Sequence, residues 1–119
     1  LGNAGEFLDP VFSSGVTIAV KSADLAVEAV HKHLNGEDID WENEFSQPLK
    51  EGVDTFRVFV EAWYSGRLQD VIFATNKDAL IKRMVSSILA GYAWDKKNPL
   101  VKDTRRLATL VELCKSLEE

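Results

Sequence analysis

The chain has 119 residues, of which 45% are hydrophobic and 28% are charged, and its formal net charge is -5. That apolar content excludes a disordered polar tail, and only 7 Gly and 3 Pro exclude a collagen-like or linker sequence. The length predicts one domain, and the acidic balance argues against a nucleic-acid partner, which normally needs a basic face. With a single cysteine, Cys114, and no apolar run near ~18 residues, we expect a cytoplasmic chain without a transmembrane segment.

The chain opens on a turn-rich run that contains Gly2, Gly5 and Asp9-Pro10, and residue 1 is Leu rather than Met. Compact domains rarely begin in this way, because termini are usually dispensable. We therefore expect the C-terminal piece of a longer protein, beginning just before a functional loop. A surface loop without a function is the alternative interpretation.

A long first helix is predicted from Ser14 to Leu34, and Asn35-Gly36 predicts its end. Apolar side chains recur within it at steps of three and four, which predicts the face that packs inward. That face comprises Val16, Ala19, Val20, Ala23, Ala26, Val27, Val30 and Leu34.

A second helix is predicted from Trp41 to Ser65, with Asp40 as its N-cap. Pro48 lacks a backbone donor, so we expect it to kink or restart this helix. The stretch from Leu68 to Ala74 is compatible with a short strand, a helical turn or a buried extended loop.

A third helix is predicted from Lys77 to Gly91, and Asn98-Pro99 opens a fourth. Together these elements predict an all-α fold, a small bundle of about four helices with an irregular N-terminal arm. We expect no metal site, because His31 and His33 face different ways on a helix and the acidic run near Glu37 lacks calcium-loop spacing.

Residues 2–16 are the segment most suited to chemistry, because a glycine-rich turn leads into Ser13-Ser14-Gly15 at the start of a long helix. Helix N-termini expose backbone N–H groups and stabilise anions and electron-rich oxygens. Gly15 has no Cβ, so a ligand can approach the backbone closely. The alternative is an ordinary capped helix after a surface loop.

The run Gly-Asn-Ala-Gly-x-Phe-x-Asp-Pro-Val-Phe-Ser-Ser-Gly-Val over residues 2–16 resembles the second flavin-binding motif of the FAD-dependent halogenase and aromatic hydroxylase-like superfamily. Asp54-Thr55-Phe56 and the run Ala62 to Gly66 also look like the C-terminal helices of that group. The resemblance implies that residues 1–15 are the remnant of an FAD-binding domain and that residues 16–119 form a C-terminal helical domain of a larger α/β flavoprotein.

The resemblance further implies a set of FAD-contacting residues, and aromatic side chains that line an aromatic or polyene-type substrate. The first set is Gly2, Asn3, Asp9, Pro10, Phe12, Ser13, Ser14, Gly15 and Val16, and the second is Phe56, Phe59 and Trp63. The position of Asn3 is Asp in many members of the superfamily, so the charge is lost there. The implied partner is the remaining N-terminal FAD-binding domain of the same protein.

The sequence contains no Gly-x-Gly-x-x-Gly after a strand, so the pyrophosphate-binding half of an FAD site is absent from it. We therefore expect the parent protein to bind FAD and this chain alone to bind it poorly or not at all. Halogenase, hydroxylase and dehydrogenase activities all remain open. The alternative functions are a free-standing helical interaction module without a cofactor, and a chain that associates with itself.

Overall fold

The structure is a computed structural model that describes Leu1, residues 14–73 and residues 79–118. Within these ranges the regular structure is helical, which confirms the predicted all-α fold class. The helices are α1 (Ser14–Leu34), a π-helical segment (Glu42–Ser46), α2 (Gln47–Tyr64), α3 (Arg67–Ile72), α4 (Ala79–Leu89), α5 (Pro99–Lys102) and α6 (Arg105–Glu118). In this part of the chain, no helix has the length and apolar character needed to cross a membrane.

The chain folds as two compact units, Leu1–Asp54 and Thr55–Glu119, and the division falls within α2. The first unit contains α1, the π-helical segment and the beginning of α2, and the second contains the rest. The predicted boundary at residue 15 lies beside residues outside the description, so it stays a prediction.

The bounds of α1 are those predicted, because its end carries a strong local signal. The amide of Glu37 donates to the carbonyl of Lys32 at 3.1 Å, which closes the helix, and Gly36 adopts φ +85°. Only glycine adopts that conformation without a steric penalty.

The prediction of which face of α1 packs inward is wrong. The buried side chains are those of Ile18, Ser22 and Ala29, whereas the large aliphatic residues of the predicted face are exposed. Those exposed residues are Val16, Val20, Val27, Val30 and Leu34. The helix is apolar on two opposite sides, so its periodicity does not identify which side the chain covers.

The second predicted helix forms in two parts, as expected from Pro48. An α-helix would need the amide of residue 48 to bond to the carbonyl of Glu44, and proline has none. Instead the amide of Gln47 donates to the carbonyl of Glu42, which gives a wider π-helical turn before α2. At the start of this segment, the amide of Asn43 donates to the carboxylate of Asp40 at 3.3 Å, which confirms Asp40 as the capping residue.

An ion pair joins α1 to the π-helical segment. The Nζ atom of Lys32 lies 3.3 Å from Oε1 of Glu44, whose other carboxylate oxygen accepts from the backbone amide of Asp40 at 3.0 Å. The hydrogen bond that Lys32 donates to Glu44, together with the negative charge of that carboxylate, raises the pKa of Lys32. The carboxylate of Glu44 therefore links the end of α1 to the turn that begins the next helix.

The core of the second unit is built from α2, α3, α4 and α6. Its buried side chains are apolar and occur at helical spacing on each element. They include Phe56, Phe59, Val60, Leu68, Val71, Val85, Ile88, Leu107 and Val111. Burial of this face explains why residues 67–72, which the sequence leaves ambiguous, form a helix: Leu68 and Val71 both point inward at a spacing of three residues.

Asn98 connects α4 to α5. Its side-chain oxygen accepts from the amide of Leu100 at 3.0 Å, and its Nδ2 donates to the carbonyl of Met84 at 2.9 Å. Asn98 is 7% exposed, and its bond to Leu100 is buried. The prediction that Asn98-Pro99 opens a helix is confirmed.

The predicted fourth helix is interrupted at Asp103, which is extended and separates α5 from α6. Its carboxylate accepts from the backbone amide of Arg105 at 3.1 Å and from Nε of the same residue at 3.0 Å. A carboxylate at this position satisfies a free amide of the first turn of α6, so a new helix start competes with continuation of α5.

We expect Asp103→Asn to lower the thermal midpoint of unfolding at pH 7. The side-chain hydrogen bond from Arg105 lowers the pKa of Asp103 below its ordinary value of 3.8. A carboxylate with a lowered pKa contributes stability above its unfolded pKa and loses it as the pH falls through its folded pKa. The difference from the wild-type chain should therefore shrink below pH 3.8 and vanish at lower pH, as measured by circular dichroism melts. Asp38→Asn, at an exposed loop position, is the control, and a pH-independent difference would contradict the assignment.

We expect Gly66→Ala to destabilise the chain by about 1 kcal/mol, the cost of a left-handed conformation for a residue with a Cβ. Gly66 has φ +80°, and a Cβ placed there would meet nothing within 4 Å, so backbone strain is the relevant effect. Urea unfolding measures the loss. Gly66→Asn should recover part of it, since asparagine tolerates this conformation, and equal costs for both variants would argue against backbone strain.

Candidate functional site

The structure describes the predicted flavin-binding segment from the first turn of α1 onward. Ser14 is the first residue of that helix, as predicted, Gly15 is half-buried and Val16 is 72% exposed. The remaining candidates lie outside the described residues. These are Gly2, Asn3, Asp9, Pro10, Phe12 and Ser13.

The electrostatics of α1 leave its N-terminus suited to an electron-rich group. A helix of 21 residues carries a partial positive charge at its start and a partial negative charge at its end. The last turn is complemented by His31, Lys32 and His33, whereas the first turn contains no acidic side chain. The positive end is therefore not neutralised by a carboxylate within its own first turn.

The three residues predicted to line a substrate lie on α2, in the second unit. Phe56 and Phe59 are buried, and the ring of Phe56 meets Trp94 edge-on, with centroids 6.0 Å apart. Trp63 is half-buried, and its carbonyl accepts from Nε2 of Gln69 at 3.0 Å. Both phenylalanines therefore have almost no accessible surface, whereas Trp63 retains accessible area. Their role toward a substrate stays a prediction.

A groove between α2 and α6 was not predicted from the sequence. Its volume is about 220 Å³, and apolar side chains including Val58, Ala62 and Leu107 line it, with Arg67 and Arg105 also present. This volume is below the roughly 300–1,000 Å³ typical of small-molecule sites. Ala108, which also lines this groove, is exposed.

Among the residues that the structure describes, no group of three or more His, Cys, Asp or Glu side chains has an arrangement that could hold a metal ion. His31 interacts with Asn35, and the ring of His33 lies 6.4 Å from that of Trp41, centroid to centroid.

Comparison with known proteins identifies relatives that are longer than this chain. No protein-family model matches it. Over 108 residues the chain is 26% identical to the 1H-pyrrole-2-carbonyl-[peptidyl-carrier protein] chlorinase of Pseudomonas fluorescens Pf-5, and the match covers 89% of this chain but 24% of the chlorinase. The chain therefore spans about a quarter of the length of that relative.

A crystal structure of a flavoprotein/dehydrogenase from Cytophaga hutchinsonii is similar both in sequence and in fold. It is 48% identical, with a TM-score of 0.93, over 99% of this chain and 29% of the flavoprotein. This likeness and the chlorinase match confirm the resemblance predicted from residues 2–16: the chain is similar, over most of its length, to part of a flavoprotein/dehydrogenase and to part of a chlorinase.

Proposed function

We propose that this chain is the C-terminal helical portion of an FAD-dependent oxidoreductase of the halogenase and monooxygenase type. In this role it contributes one wall of the flavin site and covers the substrate side. The observation that carries the proposal is the 48% identity and shared fold with part of a flavoprotein. The chlorinase match adds a second relative in which the corresponding region is a minor part of a larger enzyme.

In the proposed role, the tip of α1 is the part of the described structure that contacts the flavin. Its first-turn amides and the lack of an acidic side chain there favour an electron-rich or reduced ring. Gly15 allows close approach of the backbone, and the loop that contains Asn3 and Asp9-Pro10 precedes it in the sequence. Bound FAD would supply the redox chemistry of the enzyme, and the chain would supply orientation and charge stabilisation.

On the substrate side, Trp63 would contact an aromatic or polyene-type molecule. Trp63 is half-buried and has accessible surface, whereas Phe56 and Phe59 are buried in the core. The two relatives are named for different reactions, chlorination and dehydrogenation. We therefore propose the reaction class as oxidoreductase.

A charge placed at the tip of α1 tests the flavin contact. In the full-length protein, we expect Gly15→Asp to weaken FAD binding about tenfold more than Gly15→Asn, which corresponds to ~1.4 kcal/mol. The two side chains have nearly the same size, so the difference reports the negative charge at the helix terminus. Fluorescence titration of the apoprotein with FAD measures both constants. Equal affinities for the two variants would contradict a flavin at this position.

The 119-residue chain by itself should show little affinity for FAD, because its sequence lacks the pyrophosphate-binding fingerprint. The same titration with the chain alone and with the full-length protein measures this difference. FAD binding of equal strength by the isolated chain would show that these residues suffice for the site, and would overturn the proposed division of the flavin site between two parts of the polypeptide.

A further inference from the structure

The outward face of α1 is an apolar surface that nothing in the described chain covers. Six residues share this face, and we call it the α1 stripe: Val16, Val20, Ala23, Val27, Val30 and Leu34. At 3.6 residues per turn they fall within an arc of about 80°. The valines and the leucine of the stripe are 44–78% exposed.

The buried face lies on the opposite side of the same helix. Ile18, Ser22 and Ala29 are each at most 2% exposed, and by helical geometry they project away from the stripe. A helix that is apolar on opposite sides is typical of one packed between two layers of protein. Within the described residues, the side with Ile18, Ser22 and Ala29 is buried and the opposite side is exposed.

The size of the stripe indicates what kind of partner it suits. From Val16 to Leu34 it runs about 27 Å, and with a width of ~10 Å its area is on the order of 300 Å². A stable contact between separate molecules needs about 800 Å² on each partner. A tethered domain needs less, because its association is intramolecular and its effective concentration is high.

We infer that the α1 stripe is the docking surface for the remainder of the same polypeptide, the part that in the proposed function carries the rest of the flavin site. The inference rests on the proposed function for the identity of that part. Two observations favour this occupant. The flavoprotein of the same fold has 71% of its chain beyond the matched region, since the match covers 29% of it. The stripe also begins at Val16, where the predicted flavin segment ends, so a domain holding the flavin at the tip of α1 would extend along this helix.

Thiol labelling in the full-length protein tests the inference. In a Cys114→Ser background, Val20→Cys and Val27→Cys place thiols on the stripe, and Leu113→Cys is the matched control on α6, where Leu113 is 52% exposed. Each labelling rate with a maleimide is divided by the rate for the same variant in urea, after subtraction of the background variant. We expect at least about tenfold protection at both valine positions and less than about threefold at Leu113.

Two results would overturn the inference. The first is labelling at Val20 and Val27 as fast as at Leu113. The second is protection that disappears on dilution, which would assign the stripe to a second copy of the chain. Flavin content, measured on the same samples, separates this test from the proposed function. Protection without bound flavin would support the docking surface and contradict the flavoprotein assignment. Bound flavin without protection would support the flavoprotein assignment and contradict the docking surface.

Discussion

Replacing Phe59 with alanine should lower the free energy of unfolding by about 3–5 kcal/mol, the usual cost of removing a buried phenyl ring. Phe59 is 1% exposed and is among the largest fully buried side chains of the chain. The loss combines the transfer of the ring from a dry core with the cavity that remains. For a domain whose total stability is roughly 5–15 kcal/mol, this is a large fraction. Urea unfolding followed by circular dichroism measures it.

Phe73 provides the matched control for this change. It lies just after α3 and is 71% exposed, so Phe73→Ala removes the same atoms from a solvated position. Its effect should stay within about 0.5 kcal/mol. If Phe59→Ala also had so small an effect, the assignment of Phe59 to the core would be wrong. That result would instead favour the prediction that Phe59 lines a substrate. In that case Phe59→Ala should change the KM and leave the stability unchanged.

Replacing Asn98 with alanine should cost about 2–4 kcal/mol, because a buried side chain loses two hydrogen bonds at once and the buried amide of Leu100 loses its cap. The amide of Leu100 and the carbonyl of Met84 both bond to this side chain. An unsatisfied buried polar group costs about 1–3 kcal/mol, and loss of an N-cap alone costs about 0.5–2 kcal/mol. The expected result is a reduced urea midpoint with an unchanged dependence on urea concentration.

Two further variants separate the contributions of Asn98. Asn98→Asp keeps an acceptor for Leu100 but removes the donor to Met84, so it should remain destabilised at pH 7. Asn35→Ala is the control at an exposed position, where the side chain bonds to His31 on the surface. If Asn98→Ala were no more destabilising than Asn35→Ala, the link between α4 and α5 would contribute nothing to stability.

Local signals in the sequence were sufficient to predict most helix bounds. Asn35-Gly36 marks the end of α1, and Pro48 marks the restart at α2, because each imposes a backbone constraint that acts within a few residues. Asp103 is an exception. Its carboxylate starts a new helix within a pattern whose apolar spacing continues across it, so periodicity alone predicted one helix where two form.

Burial was harder to predict than secondary structure. The α1 stripe has the stronger apolar pattern and was predicted to face inward, yet Ile18 and Ala29 on the other side are buried. A sequence shows where a helix is apolar, but the layer that covers each face is a long-range property. The start of α1 at Ser14 is as predicted, while the roles of Asn3 and the other proposed flavin-site residues stay predictions.

Whether this chain belongs to a flavoprotein can be measured from the flavin content of the full-length protein that contains it, purified without added cofactor. We expect the visible absorption of a flavin in an amount stoichiometric with the polypeptide, and release of FAD on denaturation. A folded full-length protein that is colourless, releases no flavin and acquires none on incubation with FAD would contradict it.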